Sequence, residues 1–383
     1  WIGTTSNDWN TPENWYPVNV PASGDNVEFA TPTNYGSVAV NDLVMDQNRI
    51  IGSLSNATTK NLIIPAGKSL IVNESITTDN DPYRIQIQAD ATNPNASLIF
   101  TNPQLNSSVY ATVQMYSKAQ KLASPVTYTI DGTTYSSSYT WQFFGIPVKE
   151  VDALPAFYGS AVKIYEESQN LDERFKKWTS LGNSSSLYAF KGYEITQPAS
   201  KIIEIQGILN TSDNTLQLTR NLSPTIGSIN YGSGQNIFGN SFTAAIDISQ
   251  IQFPDDVDKT VYMYNTGSFG SWYGTTGTGA TGTTPGTYLS IPQNASPVIG
   301  QEIPSMQGFL LKVLNQAAGT YTVTIPYNSI SAISNTTQQR VKGAPGTSGE
   351  LSYMTVDVVG ANGDDRVWLF SQPGTSRGFD NGW

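Results

Sequence analysis

Between residues 38 and 115 the apolar residues come in short runs that stop almost as soon as they start. Ile50-Ile51, Leu62-Ile-Ile64, Leu70-Ile-Val72, Ile85-Gln-Ile87 and Leu98-Ile-Phe100 are separated by turn formers such as Pro65-Ala-Gly67 and Asn73-Glu-Ser75. Runs this brief suit pleated strands that bury alternate side chains on a neighbour. Their recurrence at intervals of about 8–15 residues predicts the rungs of a parallel β-helix, each stacked on the next, and leaves a β-sandwich as the alternative. The rest of the chain continues the pattern with longer, alternating segments. Val109-Tyr-Ala-Thr-Val113-Gln-Met115, Val162-Lys-Ile164-Tyr165, Gly192-Tyr-Glu-Ile195, Ile203-Glu-Ile205-Gln-Gly207, Leu216-Gln-Leu218, Tyr321-Thr-Val-Thr-Ile325 and Val367-Trp-Leu-Phe370 all read as strands. Tyr128-Thr-Ile130, Asp131-Gly132 and Thr133-Thr-Tyr135 form a hairpin signature, because Asp-Gly accepts the backbone a tight turn needs. Residues 170–177 are the one candidate for a short helix, although they carry no apolar stripe.

The expected fold class is therefore all-β. Residues 1–112 are expected to form a β-helix-like or β-sandwich module, followed by jelly-roll-like β-sandwich modules over 113–233 and 234–383. Trp1, Trp9 and Trp15 fall at neither strand nor helix spacing, so they are expected to fold over the end of a sheet as a cap; sugar stacking on Trp9 or Trp15 is the alternative. Residues 274–287 are almost entirely Gly and Thr and are expected to be a mobile loop. Trp1 at the start and Trp383 at the close, within what reads as ordered sequence, suggest a processed fragment.

Composition excludes several functions. The 383-residue chain has a net charge of −10, which would repel a phosphate backbone or an anionic lipid surface. It has no run of about 18 apolar residues to span a membrane as a helix. It contains no histidine and no cysteine, which removes imidazole bases, Ser–His pairs, His-ligated zinc and disulfides. Gly270-Ser-Trp272 is no nucleophile elbow, and the Gly-rich 274–287 lacks the Gly-Lys-Ser/Thr ending of a phosphate loop. With 30 acidic residues a glycosidase pair has many possible members, but no two are singled out, and no enzyme is expected.

Two groups remain as candidate sites. Tyr262, Tyr264, Trp272 and Tyr273, with Phe269 among them, could stack on sugars or anchor a protein contact, or could simply be core. Asp79 and Asp81, and Asp255, Asp256 and Asp258, are oxygen-rich loops that could hold calcium, the one ion considered; none has the full spacing of a calcium-binding loop. Asp364-Asp365 is a further acidic pair, and solvated turn carboxylates are the plainer reading of all three.

The central stretch, Gly234-Gln-Asn-Ile-Phe-Gly-Asn-Ser-Phe-Thr-Ala-Ala-Ile-Asp247, carries a resemblance. Asn236, Gly239, Asn240, Ala245, Ile246 and Asp247 match a segment of the form W-N-L-I-G-N-P-Y-P-S-A-I-D; Gln235 stands for its aromatic residue and Ser241 for its proline. Ile303-Pro-Ser-Met-Gln-Gly308-Phe, Trp141-Gln-Phe143 with Pro147, the opening Trp-rich segment and Gly378-Phe-Asp-Asn-Gly-Trp383 extend it along the chain. In this order the motifs resemble Bacteroidetes cell-surface and secreted proteins exported by the type IX secretion route. The resemblance implies an extracellular, non-enzymatic structural or adhesive protein of a surface layer or filament. Its partners would be copies of itself or other surface proteins, with the type IX machinery for export. Glycan binding is the alternative, and a polysaccharide-degrading enzyme a more distant one.

Overall fold

The computed structural model describes residues 1–130, 133–173, 176–264, 288–294, 302–330, 352–360 and 363–371. The fold is all-β and of sandwich type, and among the described residues no sheet closes into a barrel. Two compact units divide the chain, 1–343 and 344–383.

The first nine strands are short: β1 (Val27–Glu28), β2 (Leu43–Val44), β3 (Arg49–Ile51), β4 (Leu54–Asn56), β5 (Leu62–Ile64), β6 (Ser69–Val72), β7 (Ile76–Thr78), β8 (Ile85–Ile87) and β9 (Ser97–Phe100). They pair in three parallel ladders, β1-β4-β7, β2-β5-β8 and β3-β6-β9, so that each circuit of roughly 20 residues adds one strand to a ladder. The parallel register stacks like on like. Leu43, Leu62 and Ile85 form one column, and Ile51, Val72 and Phe100 another. All six are buried. Full burial of such a side chain is worth about 1.5–3 kcal/mol, which is why two or three apolar residues suffice to hold each strand. The residues between them, such as Ile50, turn outward.

Trp1, Trp9 and Trp15 close one end of this stack. All three are buried, with ring centroids 5.0 Å apart for Trp1 and Trp15 and 5.1 Å for Trp9 and Trp15. Trp15 Nε1 donates to the Trp9 carbonyl at 2.8 Å, and Trp1 Nε1 to that of Asn41 at 2.8 Å. With Trp9 at 1% and Trp15 at 4% exposure, neither ring face is available to stack on a sugar.

The opposite end is covered ladder by ladder. β10 (Tyr110–Ser117) adds to β8 in parallel, and antiparallel β19 (Lys201–Ile208) then closes that sheet. At β7 the Ile76 N–H donates to Asn106 Oδ1 at 2.9 Å, and Asn106 Nδ2 donates to the Glu74 carbonyl at 2.7 Å. At β9 the Leu98 N–H donates to the Thr243 carbonyl at 3.3 Å, Thr243 Oγ1 donates to the Leu98 carbonyl at 2.6 Å, and the Phe100 N–H donates to the Tyr327 hydroxyl at 3.2 Å. The central stretch of the sequence thus caps a ladder formed far away in the chain. Thr243→Val keeps shape but removes the donor to a buried carbonyl. It is expected to cost about 1–1.5 kcal/mol in urea denaturation; an unchanged midpoint would mean that the Leu98 carbonyl finds another partner.

After β10 come β11 (Lys121–Ile130) and β12 (Thr133–Tyr139), an antiparallel hairpin in the register the sequence implied. Then β13 (Gln142–Phe144), β14 (Glu150–Asp152), β15 (Ala161–Tyr165), β16 (Trp178–Ser180), β17 (Ser186–Tyr188) and β18 (Tyr193–Thr196) lead to β19. They form an antiparallel sheet in the order β13-β18-β15-β16 and a small β14-β17 pair. The strands β20 (Asn214–Arg220), β21 (Gln235–Gly239), β22 (Ile246–Asp247), β23 (Thr260–Tyr264), β24 (Tyr288–Pro292), β25 (Glu302–Ile303), β26 (Gly308–Lys312) and β27 (Gly319–Ile325) follow. They give a second antiparallel sheet, β21-β26-β23-β24, and the pairs β20-β27 and β22-β25. In the second unit, β28 (Ser352–Gly360) and β29 (Gly363–Ser371) make an antiparallel hairpin.

Of residues 170–177, the described ones (170–173, 176 and 177) are turn and irregular chain rather than the helix considered for them. Asn170 has φ of 47°, a left-handed conformation that starts a turn, and the Glu173 N–H closes back on the Asn170 carbonyl at 3.0 Å. A segment with no apolar stripe has nothing to bury along a helix face.

Candidate functional site

The two four-stranded sheets meet face to face, and glycines set how closely. A Cβ placed on Gly145 would lie 2.5 Å from Gly239 Cα, and one on Gly308 2.6 Å from Phe143 Cβ. A Cβ on Gly192 would lie 2.5 Å from the Ile237 carbonyl carbon. Backbone therefore touches backbone where strand residues would normally hold sheets about 10 Å apart. Glycine within or at the end of a strand is a sequence signal for close approach, and Phe144-Gly145, Lys191-Gly192-Tyr193, Phe238-Gly239 and Gln307-Gly308-Phe309 all carried it.

Beside this contact lies an aromatic cluster. Phe143, Ile237 and Leu310 are buried in it, with Tyr165, Trp178, Tyr262 and Tyr264 half-buried around them. Phe143 stacks on Tyr264 with centroids 4.7 Å apart and packs on Trp178 at 5.0 Å, while Trp178 meets Tyr165 edge-on at 5.2 Å. Strand alternation places Tyr262 and Tyr264 here, because Val261 and Met263 point into the main core on the other face. One face of Tyr264 is thus spent on Phe143. The Tyr262 hydroxyl donates to Asp258 Oδ2 at 2.7 Å, and burial together with that carboxylate pushes its pKa up. Trp272, Tyr273, Phe269 and residues 274–287 lie outside the described residues, as do residues 378–383.

The acidic candidates are individually engaged. Arg84 Nη2 stands 2.9 Å from Asp79 and 3.1 Å from Asp81. Burial raises the Asp79 pKa, but the Arg84 hydrogen bond and charge and the Asp81 N–H outweigh it and hold the carboxyl below the usual range. Asp255 pairs with Lys259 at 3.0 Å, Asp258 accepts from Tyr262, and Asp256 Oδ1 accepts from Asn315 Nδ2 at 3.2 Å. Among the described residues no three His, Cys, Asp or Glu side chains come together. Calcium at millimolar concentration is accordingly expected to leave the melting temperature unchanged; a clear rise would reveal a site, since a ligand of the native state stabilises by mass action.

Two buried carboxylates were not anticipated from sequence. Glu167 Oε1 accepts the Asn221 and Gly234 N–H groups, both at 2.9 Å, and its Oε2 accepts Thr219 Oγ1 at 3.0 Å and Asn221 Nδ2 at 2.5 Å. Beside it Lys177 Nζ donates to the Glu167 and Gln169 carbonyls at 2.5 and 3.0 Å, and burial lowers the lysine's pKa. Glu194 sits 2.9 Å from Lys163 Nζ, which lies 3.9 Å from the Trp141 ring centroid. Burial raises the Glu194 pKa against the opposing pull of that lysine. Glu167 thus gathers the end of β20 and the residue before β21, while Glu194 joins β18 to β15. An open cleft of about 250 Å³ lies by the Trp cap, lined by Trp9, Pro21, Ser23, Asn48, Arg49 and Ile50; there Arg49 is held by Asp46 at 2.6 Å.

Fold and surface together define an all-β protein whose buried polar groups tie strands to one another and whose aromatic residues gather at the junction of two sheets. The chain belongs to the family described as "Domain of unknown function (DUF8693)", whose pattern matches residues 1–369. Over 410 aligned positions it is 36% identical to the minor fimbrium subunit Mfa5 of Porphyromonas gingivalis, covering 100% of this chain and 31% of that protein. The chain thus spans less than a third of its relative's length. No solved structure matches it.

Proposed function

We propose that this chain is a structural and adhesive part of a bacterial surface fimbrium, exported by a Bacteroidetes bacterium, and that it works by contact rather than catalysis. The observation that carries the reading is the 36% identity, along the whole chain, to a minor fimbrium subunit. The physical construction is in keeping with it. The parallel ladders read as turns of a short β-helix whose ends are covered by tryptophans and by the central stretch. Glycine-mediated contact between two sheets adds a second stiff element, and stiffness suits a module that bears load between partners. Those partners are other fimbrial subunits. The type IX export route belongs to the same reading and rests on the sequence resemblance.

Immunogold electron microscopy with antibodies against the chain tests the reading on cells that carry the gene and on a deletion strain. Gold is expected along surface filaments or at their tips, and none on the deletion strain. Label confined to the cell interior would overturn the proposal.

A further inference from the structure

Residues 221–234 run Asn-Leu-Ser-Pro-Thr-Ile-Gly-Ser-Ile-Asn-Tyr-Gly-Ser-Gly between β20 and β21. The two ends of this loop are held at one point. Glu167 Oε1 accepts the N–H groups of Asn221 and Gly234, both at 2.9 Å, and Ser233 Oγ donates to the Asn221 carbonyl. A closed surface excursion of this kind is an Ω-loop, a form that is frequently functional. Its polar residues brace it. Asp172 accepts the hydroxyls of Ser223, Thr225 and Ser228, Asn230 Oδ1 accepts the Ser223 N–H, and the Tyr231 N–H donates to the Leu171 carbonyl at 3.0 Å. Gly232, at φ of 62°, brings the chain back against Lys177, whose Cε would lie 3.1 Å from a Cβ there.

The apolar residues of the loop do the reverse. Leu222, Ile226 and Ile229 are all exposed, Ile229 at 65% and Ile226 at 102%, the highest of any large apolar side chain among the described residues. A single exposed aliphatic residue carries no meaning. Three on one braced loop, whose polar side chains are spent on holding it, form a surface made for contact. We propose that the loop 221–234 is a docking knob that seats Leu222, Ile226 and Ile229 in an apolar groove on a different protein subunit of the same filament.

Three arguments select that occupant. The first is against a lipid bilayer. An irregular loop carries main-chain N–H and C=O groups that hydrocarbon cannot satisfy, whereas a protein groove can bond them at its rim. Arg220, next in the chain, bonds to Gln316 and Ser233 and so is committed within its own chain. The second is against another copy of this chain. A loop-on-loop contact would bury only the tips, well short of the about 800 Å² per partner that stable interfaces need, while a groove that encloses the loop also covers its sides. The cleft by the Trp cap has Arg49, Asn48 and Ser23 in its walls, polar groups that aliphatic side chains would strand. The third is charge. The loop has no acidic or basic residue in a chain of net charge −10, so the groove that fits it is uncharged and the contact should survive high salt. Because the loop is already braced, little ordering is left to oppose binding.

This rests on the fimbrial reading and names the surface through which it would act. The test places Ile226→Asp together with Ile229→Asp in the full-length chain in the cell. In sheared filaments washed with high salt the wild type is expected to remain, and the double variant to fall by about tenfold or more at equal export. Ile226→Val with Ile229→Val keeps the aliphatic surface and is expected to be retained, as is Leu105→Asp at an exposed site outside the loop. The isolated double variant is expected to melt where the wild type does, since these side chains are exposed. The inference is overturned by equal retention of the double variant, by an equal loss of Leu105→Asp, or by a lowered melting temperature of the double variant, which would place the loop's cover within its own chain. Binding to phosphatidylcholine vesicles, or dimerisation in sedimentation, that the double variant abolishes would overturn it by naming a bilayer or a second copy as the occupant. A wild type missing from the filaments is the failure of the fimbrial reading itself, and the inference falls with it; a wild type present beside an equally retained double variant is the failure of the inference alone.

Discussion

Gly239→Ala is expected to lower stability by about 3 kcal/mol or more, although exchanging glycine for alanine in a strand ordinarily helps. The ordinary gain, about 0.5–1 kcal/mol, comes from restricting the unfolded chain. Here the added methyl would lie 2.7 Å from the Gly145 nitrogen, closer still to its Cα, and 3.0 Å from the Lys191 carbonyl oxygen. No side chain can swing aside, because the obstacles are main chain on both β13's end and the loop before β18. Two sheets would have to separate, and packed interiors yield poorly. Steric cost outweighs the entropic gain. Denaturant midpoints of the wild type and the variant measure the difference; a variant of equal or greater stability would show that the two backbones stand further apart.

Asn240→Ala is the second large effect. Asn240 is fully buried. Its Nδ2 donates to the carbonyls of Ala244 and Ile303 at 2.9 Å and of Pro304 at 3.0 Å, and its Oδ1 accepts the Phe242 N–H at 2.9 Å. Its main chain also exchanges bonds with Gln307 and Met306. One side chain thus fastens the bend after β21 to the segment after β25. Truncation strands several buried polar groups, each costing about 1–3 kcal/mol, so a loss of about 3 kcal/mol or more is expected. Asn240→Asp keeps the acceptor but loses the donor and buries a charge, and should be at least as damaging. A small effect of either change on the denaturation midpoint would mean that water replaces the amide.

The strands were legible because alternation and short apolar runs are local signals. Leu62, Leu70 and Ile85 announced their strands within three or four residues, and Asp131-Gly132 announced the hairpin. The resemblance centred on Asn240 pointed to the right stretch but not to what it does. That function lies in partners 145 residues away, for Thr243 and Leu98, and 227 residues away, for Tyr327 and Phe100. Nothing local to either end encodes such a contact. The aromatic alternation at Tyr262 and Tyr264 was equally ambiguous, since exposed and half-buried tyrosines look alike until Phe143 is found against them. The Asp79 and Asp81 pair was open to two readings for a more visible reason. Arg84 follows within a few residues, and a guanidinium so near competes with any cation for those oxygens.

Amide hydrogen exchange, followed residue by residue, tests most directly whether the far ends of the parallel ladders are sealed by distant parts of the chain. The N–H groups of Ile76, Leu98 and Phe100 are expected to exchange as slowly as those of the core. Rapid exchange at Leu98 and Phe100 would contradict it.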